Sequence, residues 1–286
     1  MKKIISTLIA SLMAVSTFTA VSVSASNVSA INKYTISTST VENDTVVEEA
    51  TIPAGSVAIT VNINNNLGFT ASATKLNVGE LADVVVDEAG RPVVTKGDVL
   101  GDDFITASAV KNGTVVVSSA SAKKTNTDGE MFTIYIADNY SGVSVKDITN
   151  EPVLIETDTE SEKNAAEAYR YKIGNINNDR YIDAVDASIL LGAIEDFKNK
   201  YPDKNPANDF TVAFADAHIN EYFTAIRSSK VADTNKNNLL TVTDARNISQ
   251  FYAYVSTGYT SAEAYAELSA EEDNYCSEVI IVTFYN

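Results

Sequence analysis

Two stretches of this 286-residue chain carry oxygen-bearing side chains at regular intervals. In residues 175–186 such side chains fall at positions one, three, five, nine and twelve of the stretch: Asn175, Asn177, Asp179, Asp183 and Asp186. Calcium takes roughly six to eight oxygen ligands from a chain that curls around it, and the backbone carbonyl at position seven, here Tyr181, contributes to such a set. The pattern therefore predicts a calcium loop. A polar turn with Asp183 or Asp186 as the helix N-cap is the structural alternative.

Residues 233–244 repeat this pattern, with Leu239 at position seven and polar side chains at the other ligand positions: Asp233, Asn235, Asn237, Thr241 and Asp244. Position eight is apolar in both loops, and we expect Ile182 and Leu240 to pack each loop against the other loop. An apolar period of helical spacing follows position twelve in both cases. The sequence thus predicts two calcium ions. The first loop should bind more tightly, because it offers three carboxylates against two.

Two loop–helix units that each close on Asp-Ala resemble a type I-like dockerin over residues 171–258. Dockerins are the calcium-binding plugs with which cellulosomal proteins dock into cohesin modules. The chain departs from the family at Asn175, where Asp is usual, and at Arg180 and Asn238, which replace glycine. The resemblance implies that residues near the starts of the two helices contact the cohesin of a scaffoldin: Ala184, Val185, Leu191 and Gly192 after the first loop, and Val242, Thr243, Ser249 and Gln250 after the second.

Residues 46–154 show strand patterns instead of helical ones. Apolar residues alternate with small or polar ones over residues 57–64, which predicts a strand with one buried face. Asn112-Gly113 separates two apolar runs and predicts a hairpin, because both residues tolerate positive φ. Further short strands are predicted from the sequence: residues 84–86, 93–95, 104–110, 114–119 and 132–136. Short strands with turn residues between them are typical of a β-sandwich.

The order of these strands and turns resembles a cohesin, the jelly-roll type sandwich that receives dockerins. The stretches that match are residues 65–68, 94–100 and 127–134. The resemblance implies that residues 26–156 are a cohesin-like module that binds dockerins of other cellulosome proteins through exposed positions of 57–64 and 84–94. A β-sandwich of another family is the alternative.

The remaining segments complete a multi-domain organisation. Lys2 and Lys3 precede an apolar run, and Val23-Ser24-Ala25 is a small-residue cleavage site, so residues 1–25 predict a signal peptide and a secreted, extracellular protein. Residues 157–170 are polar and predict a linker, or else the first turn of a helix. Residues 259–286 form a C-terminal extension with a helix at 261–272 and a β-branched run at 278–285. This run pairs either with an edge strand or with residues 169–173.

Within the dockerin-like part, three further predictions concern structure and calcium. Residues 199–209 contain two prolines and predict a loop, whereas the spacing of Ile219, Tyr222, Phe223 and Ile226 predicts one middle helix. Calcium that binds only the folded form stabilises it. Removing calcium should therefore lower the melting temperature of residues 171–258 and leave the sandwich unaffected.

Composition excludes several classes of partner and site. The formal net charge is −17, and so acidic a chain is repelled by nucleic acid and by anionic membranes. Membrane insertion is not expected either, because no segment is apolar enough. One Cys, Cys276, rules out an intramolecular disulfide. One His, His218, argues against a His-rich zinc site and is expected on a helix surface.

Three functions compete. The first is a non-catalytic cellulosome adaptor or scaffold in plant polysaccharide degradation, and the others are a dockerin-borne carbohydrate-binding module and a small polysaccharide-degrading enzyme. The β-rich part has neither His nor Cys, and no pattern pairs its carboxylates, so no catalytic residue is predicted. The chain has no Trp for sugar stacking, although Tyr135 and Tyr140 keep that alternative open. The adaptor is the prediction.

Overall fold

The computed structural model describes residues 33–47, 50–149, 168–179, 181–270 and 279–283. Its strands, numbered in chain order, are β1 (Lys33–Thr40), β2 (Thr45–Val47), β3 (Ala50–Ile52), β4 (Val57–Asn64), β5 (Phe69–Asn77), β6 (Asp83–Val84), β7 (Val94–Lys96), β8 (Ile105–Lys111), β9 (Thr114–Thr125), β10 (Gly129–Asp138), β11 (Ser144–Asp147), β12 (Ala168–Lys172) and β13 (Val279–Thr283). Its helices are α1 (Ala184–Lys200), α2 (Pro206–Asp209), α3 (Val212–Ala217), α4 (Ile219–Tyr222), α5 (Val242–Thr257) and α6 (Ser261–Ala270).

Two large antiparallel sheets make up the sandwich, which we define as residues 33–149, and β2 and β3 form a small two-stranded sheet beside them in the sequence. One sheet has the strand order β1-β4-β10-β6, with β7 also paired to β10, and the other has the order β11-β5-β9-β8. Ile59, Val61 and Ile63 of β4 share a buried core with Val115 and Val117 of β9. The predicted alternation in residues 57–64 and the predicted sandwich are confirmed.

The hairpin between β8 and β9 lies where Asn112-Gly113 predicts it. Both residues have positive φ, 50° for Asn112 and 69° for Gly113. A Cβ on Gly113 would lie 2.2 Å from the backbone of Gly79, so a larger residue does not fit without movement of the chain. Strand β9 runs six residues further than the predicted 114–119, to Thr125.

The four-stranded sheet is buried on both faces. The face that points away from the sandwich core carries small side chains, and we call it the outer sheet face: Ala71 and Ala73 of β5, Ala109 of β8, and Val116 and Ala120 of β9. Helix α1 packs on β9 and β5, and helix α5 packs on β8 and β9. Methyl-sized side chains let the helix backbones approach the sheet closely, so helices and sheet share one hydrophobic cluster.

Residues 168–270 and 279–283 form the helical half of the chain. The predicted middle helix around residues 219–226 is shorter than expected: only Ile219–Tyr222 is helical, as α4, and the separate short helix α3 precedes it. His218 separates them with φ at −124°, outside the helical range, and its ring stacks on Phe214 at 4.5 Å between centroids. The predicted loop at 199–209 also contains the short helix α2, which starts at Pro206 with Asn205 as N-cap.

The C-terminal strand β13 pairs antiparallel with β12, just before the first loop, so the alternative with residues 169–173 is the observed one. Strand β12 begins at Ala168, inside the segment 157–170 that the sequence predicts as linker. The helix predicted at 261–272 is confirmed as α6, which packs on α5 with the rings of Tyr265 and Phe251 stacked at 4.7 Å. The helical half is thus closed at its two ends by one strand pair.

Several sequence predictions fall outside the described residues: the signal peptide 1–25, the linker at 157–167 and Cys276. Among the helices that the structure describes, none has the length and apolar character needed to cross a membrane.

Candidate functional site: paired loops and the outer sheet face

The first loop is closed by hydrogen bonds of its own side chains. The Asp179 N–H donates to Asn175 Oδ1 at 3.2 Å. The carboxylate of Asp186, at position twelve, accepts three backbone N–H groups, from Ile176 at 2.7 Å, Asn177 at 3.0 Å and Asp183 at 3.0 Å. Position twelve is thereby linked to positions two, three and nine. The chain curls around the region where the predicted ligand oxygens lie.

The same residues also start helix α1. Asp183 is its N-cap and accepts the Val185 N–H at 2.8 Å, and Asp183 and Asp186 together form a capping box. The helix-capping alternative from the sequence is therefore confirmed for this loop. Capping does not exclude a cation, because a carboxylate has about four lone-pair positions and can serve both roles.

The second loop has the same closure with more donors. The Asp244 carboxylate accepts four hydrogen bonds: from the N–H and hydroxyl of Thr234 at 2.9 and 3.0 Å, and from the N–H and hydroxyl of Thr241 at 2.9 and 3.0 Å. At position one, Asp233 accepts the N–H of Asn237 at 3.1 Å. Thr241 is the N-cap residue of α5, so this loop too leads directly into its helix.

Both loops bend at the same position in the pattern. Position four has positive φ in each loop, 58° at Asn178 and 57° at Lys236. Position six of the second loop, Asn238, has φ at 64°, so asparagine adopts the left-handed conformation that glycine has in the family pattern. The departure from glycine is compatible with the turn here. Arg180, at position six of the first loop, is outside the described residues.

Negative charge is concentrated and buried in both loops. Asp186 and Asp244 are fully buried. Burial, and then the nearby charge of Asp183, raises the pKa of Asp186 well above its ordinary value. Burial raises the pKa of Asp244 to about 6, with a smaller contribution from Asp233. Burial also raises the pKa of Asp183. Ionising these carboxyl groups therefore costs free energy in each loop, and a bound cation would reduce that cost.

The donor chemistry fits calcium better than other metals. Each predicted ligand position offers an oxygen atom, from an Asp, Asn or Thr side chain or from the backbone carbonyl of Tyr181 or Leu239, and oxygen ligands suit hard cations. In the part of the chain that the structure describes, no group of three or more His, Cys, Asp or Glu side chains converges as a metal site. A calcium set would therefore depend on Asn side chains and the carbonyls of Tyr181 and Leu239 beside the carboxylates.

The contact between the loops differs from the expectation for position eight. Ile182 and Leu240 are both buried, but the Leu240 N–H donates to the carbonyl of Phe210 at 2.9 Å instead of pairing with the first loop. The segment before α3 thus occupies the place beside the second loop. The loops are joined at their entrances instead, where the Gly174 N–H donates to the Val231 carbonyl at 2.7 Å.

The residues that the dockerin resemblance assigns to partner contact fall into two groups. Val185 and Val242 are exposed at 38% and 42%, and Gly192 and Thr243 are partly exposed. The other four are buried: Ala184, Leu191, Ser249 and Gln250. Of the apolar group expected on the surface of the first helix, only Val185 remains exposed, because Ala184 and Leu191 belong to the cluster shared by the helices and the outer sheet face.

Polar contacts join the helices to the four-stranded sheet, and each side chain bonds to a backbone carbonyl of the other part. The donors and acceptors are Ser188 Oγ to Ser121 at 2.9 Å, Gln250 Nε2 to Ser108 at 2.7 Å, Tyr252 hydroxyl to Ile148 at 2.9 Å, and Lys75 Nζ to Ser256 at 3.3 Å. At the rim, Lys111 Nζ lies 3.1 Å from a Glu263 oxygen. The helical half is therefore fixed on the sheet by an apolar centre and polar contacts.

Of the four side chains that bond across this contact, the sequence predicts only Gln250 as a contact residue. It does not predict Ser188, Tyr252 or Lys75. Tyr252 lies in the apolar stripe of α5, so its spacing marks it as core and does not reveal its hydrogen bond. Ser188 falls at an inward-facing position of α1 in an otherwise apolar pattern, which is the one signal that a polar contact is present.

The surface expected to receive a dockerin lies elsewhere than the docking seen here. Residues 57–64 and 84–94 belong to the other sheet or to its connections, whereas the helices cover the outer face of the four-stranded sheet. Tyr135 and Tyr140, the candidates for sugar stacking, are partly buried, and the Tyr135 hydroxyl lies 2.8 Å from Thr95 Oγ1.

No model of a known protein family matches the chain, and no curated protein matches it. Solved structures that resemble it are cohesin modules. A non-cellulosomal cohesin from the hyperthermophilic archaeon Archaeoglobus fulgidus is 16% identical over 32% of this chain and 68% of that chain, with a TM-score of 0.23. The second type II cohesin module of the adaptor ScaA scaffoldin of Acetivibrio cellulolyticus is 15% identical over 39% and 74%, with a TM-score of 0.27.

A third match is a type III cohesin module from the cell-surface anchoring scaffoldin ScaE of Ruminococcus flavefaciens, 17% identical over 39% of this chain, with a TM-score of 0.26. The match spans 64% of that module, just under two thirds of its length.

Proposed function

We propose that this chain is a secreted, non-catalytic adaptor of a cellulosome. In this proposal the helical half is a dockerin-like plug with two calcium loops, and the sandwich is a cohesin-like receptor. The partners would be a cohesin module of a scaffoldin for the plug and dockerins of other cellulosome proteins for the receptor. The adaptor would work by joining proteins, and no catalytic residue is assigned to it.

One observation carries this proposal. The two helices that follow the paired loops, α1 and α5, lie side by side on a sheet face made of small residues. A flat face of methyl-sized side chains accepts a pair of helices without deep pockets, and side-chain hydrogen bonds to strand carbonyls fix their position. Such a contact would suit recognition between a plug and a receptor.

Calcium would be held by the loop oxygens at the positions predicted from the sequence. In the first loop these include Asp179, Asp183 and Asp186, and in the second Asp233 and Asp244. When bound, the ion would compensate the buried negative charge of each loop. The chain's own hydrogen bonds already fold both loops and cap both helices, so the protein residues orient the ligand oxygens before the ion arrives.

The test is a titration of the full-length protein with calcium, followed by a binding screen against panels of cohesins and dockerins. We expect two calcium ions per chain, and a loss of one site in Asp186→Asn and of the other in Asp244→Asn. Glu88→Gln, which changes an exposed carboxylate outside the loops, is the matched control. No calcium uptake would contradict the plug, and no binding to either panel in calcium would contradict the adaptor.

A further inference from the structure

We propose that the helical half of this chain is a tethered ligand of its own outer sheet face, held by an interface that opens and recloses. This inference rests on the proposed function. It states that the first partner of each half is the other half of the same chain. An external partner that uses the outer sheet face, or the helix residues buried against it, must then displace the internal one.

The composition of the contact supports an interface between two folded units. Its centre is a layer of small residues on the sheet, and its polar contacts are side chains that donate to backbone carbonyls across the contact. Lys111 and Glu263 form an ion pair at the rim, where the Lys111 ammonium also lies 4.2 Å from the centre of the Tyr259 ring. An apolar centre with a polar rim is the usual anatomy of a protein–protein interface.

Three buried hydroxyl groups belong to β9 and α5, two elements that pack on each other. Ser118 lies on β9 between Val116 and Ala120, on the outer sheet face, and Ser249 and Ser256 lie two turns apart on α5. Within the described structure, none of the three hydroxyls has a hydrogen-bond partner. Each would be hydrated if the halves separated, so burying it costs free energy that favours opening.

Burial of the predicted contact residues supports the same conclusion. Ser249 and Gln250 belong to the set that the sequence assigns to an external partner, and both are buried against the chain itself. The Gln250 side chain already donates to the Ser108 carbonyl at 2.7 Å. A cohesin that used these two residues could reach them only after the helices leave the sheet.

The experiment uses the full chain with a protease recognition sequence inserted between residues 160 and 161. Two preparations that differ in an affinity tag are cleaved, mixed in calcium, and sampled over time by tag capture. We expect the fragments of each chain to co-elute after cleavage, because the interface holds them together. We also expect mixed pairs, one fragment from each preparation, to accumulate over hours.

Two neighbouring residues provide matched variants with opposite expected effects. Gln250→Ala removes the side-chain hydrogen bond to the Ser108 carbonyl, so exchange should be about tenfold faster. Ser249→Ala removes a buried hydroxyl that has no partner, so exchange should be slower than in the unsubstituted chain.

Two results would overturn the inference. Fragments that separate at once on cleavage would show that the helices are not a ligand of the sheet. Cleaved chains that stay folded and paired but never exchange would show that the contact is a permanent core. Neither result depends on calcium stoichiometry or on an external partner, so a failed adaptor function is distinguishable from a failed internal docking.

Discussion

At the scale of single residues, the carboxylates at position twelve of the two loops, Asp186 and Asp244, accept hydrogen bonds from different kinds of donor. Asp186 receives three backbone N–H groups, whereas Asp244 receives two N–H groups and two threonine hydroxyls. Hydroxyl donors on Thr234 and Thr241 must turn away before Asp244 can give its oxygens to a cation. The second loop is therefore better satisfied without metal than the first.

This difference strengthens the expected ranking of the two calcium sites. We predict that the first loop binds calcium about tenfold more tightly than the second, because it has one more carboxylate and fewer hydroxyl donors to displace. Calorimetric titration of Asp186→Asn should show only the weaker site, and Asp244→Asn only the tighter one. Thr234→Val removes one hydroxyl donor to Asp244, so it should reduce the difference in calcium affinity between the two loops. Loss of the tighter site in Asp244→Asn would contradict the ranking.

The buried carboxylates also predict how stability depends on pH in calcium-free protein. Burial raises the pKa of Asp244 to about 6 in the folded state, above the ordinary value near 4 that it regains on unfolding. The folded state therefore binds a proton that the unfolded state does not bind between about pH 4 and pH 6. Stability should rise as pH falls through this window, by on the order of 3 kcal/mol for this group.

Urea unfolding at several pH values in the presence of chelator measures this effect. Asp244→Asn carries no titrating group at this position, so its curve should be flatter over the same window. With calcium present the trend should reverse, because protons compete with the ion for the carboxylates. A calcium-free protein that loses stability from pH 6 to pH 4 would contradict the prediction.

At the scale of elements, the sequence predicts those strands and helices whose apolar residues contrast with their neighbours. Strand β4 and helices α1, α5 and α6 have such contrast, and all of them lie close to where it places them. Strand β5 is missed, because its Thr-Ala-Ser-Ala-Thr run alternates only between small side chains and contains no large apolar residue. For the same reason the sequence does not predict the outer sheet face, because alanine and serine on a strand do not distinguish a buried face from an exposed one.

The candidate site also has one part that the sequence predicts and one part that it does not. The loop positions can be read from local spacing, since one twelve-residue segment supplies all the side chains of one site. The docking contacts cannot, because Gln250 and Ser108 are 142 residues apart and meet only through the packing of a helix on a strand. Whether a residue such as Leu191 faces a partner or its own chain is decided by that packing.

Strand pairing between β12 and β13 leads to a prediction for the C-terminal segment. The two strands have no other partner in the described sheets, and a two-stranded pair is marginal without support. Deleting residues 271–286 should therefore remove the amide protection of residues 168–172 in hydrogen exchange, while that of β4 stays unchanged. Deleting only residues 284–286 is the control. Unchanged protection of residues 168–172 in the longer deletion would show that β12 is held by other contacts.

At the scale of the whole molecule, the shared cluster between sandwich and helices changes the expected response to chelator. From the sequence, only residues 171–258 should lose stability when calcium is removed. In the structure, Ala109 and Ala120 of the sandwich are buried in the same cluster as Leu190 and Ile248 of the helices. Weakening the helical half therefore exposes the outer sheet face, and the two parts should respond together.

We predict one melting transition for the full chain in calcium, which moves to lower temperature in chelator as a single unit. Each ion should contribute roughly 2.7 kcal/mol when its free concentration is about a hundredfold above the dissociation constant. Calorimetry with parallel far-ultraviolet circular dichroism measures the helical and strand signals together. A chelator-sensitive helical transition beside an unchanged strand transition would show that the two parts unfold independently.

The antiparallel register of β12 and β13 has a mechanical consequence. Ala168 pairs with Thr283, so the chain enters and leaves this ladder at the same end. Tension applied between these two residues would load the strand pairs one after another, as in unzipping, and would not load the whole ladder in shear. The ladder would therefore open at low force before the helices feel any pull.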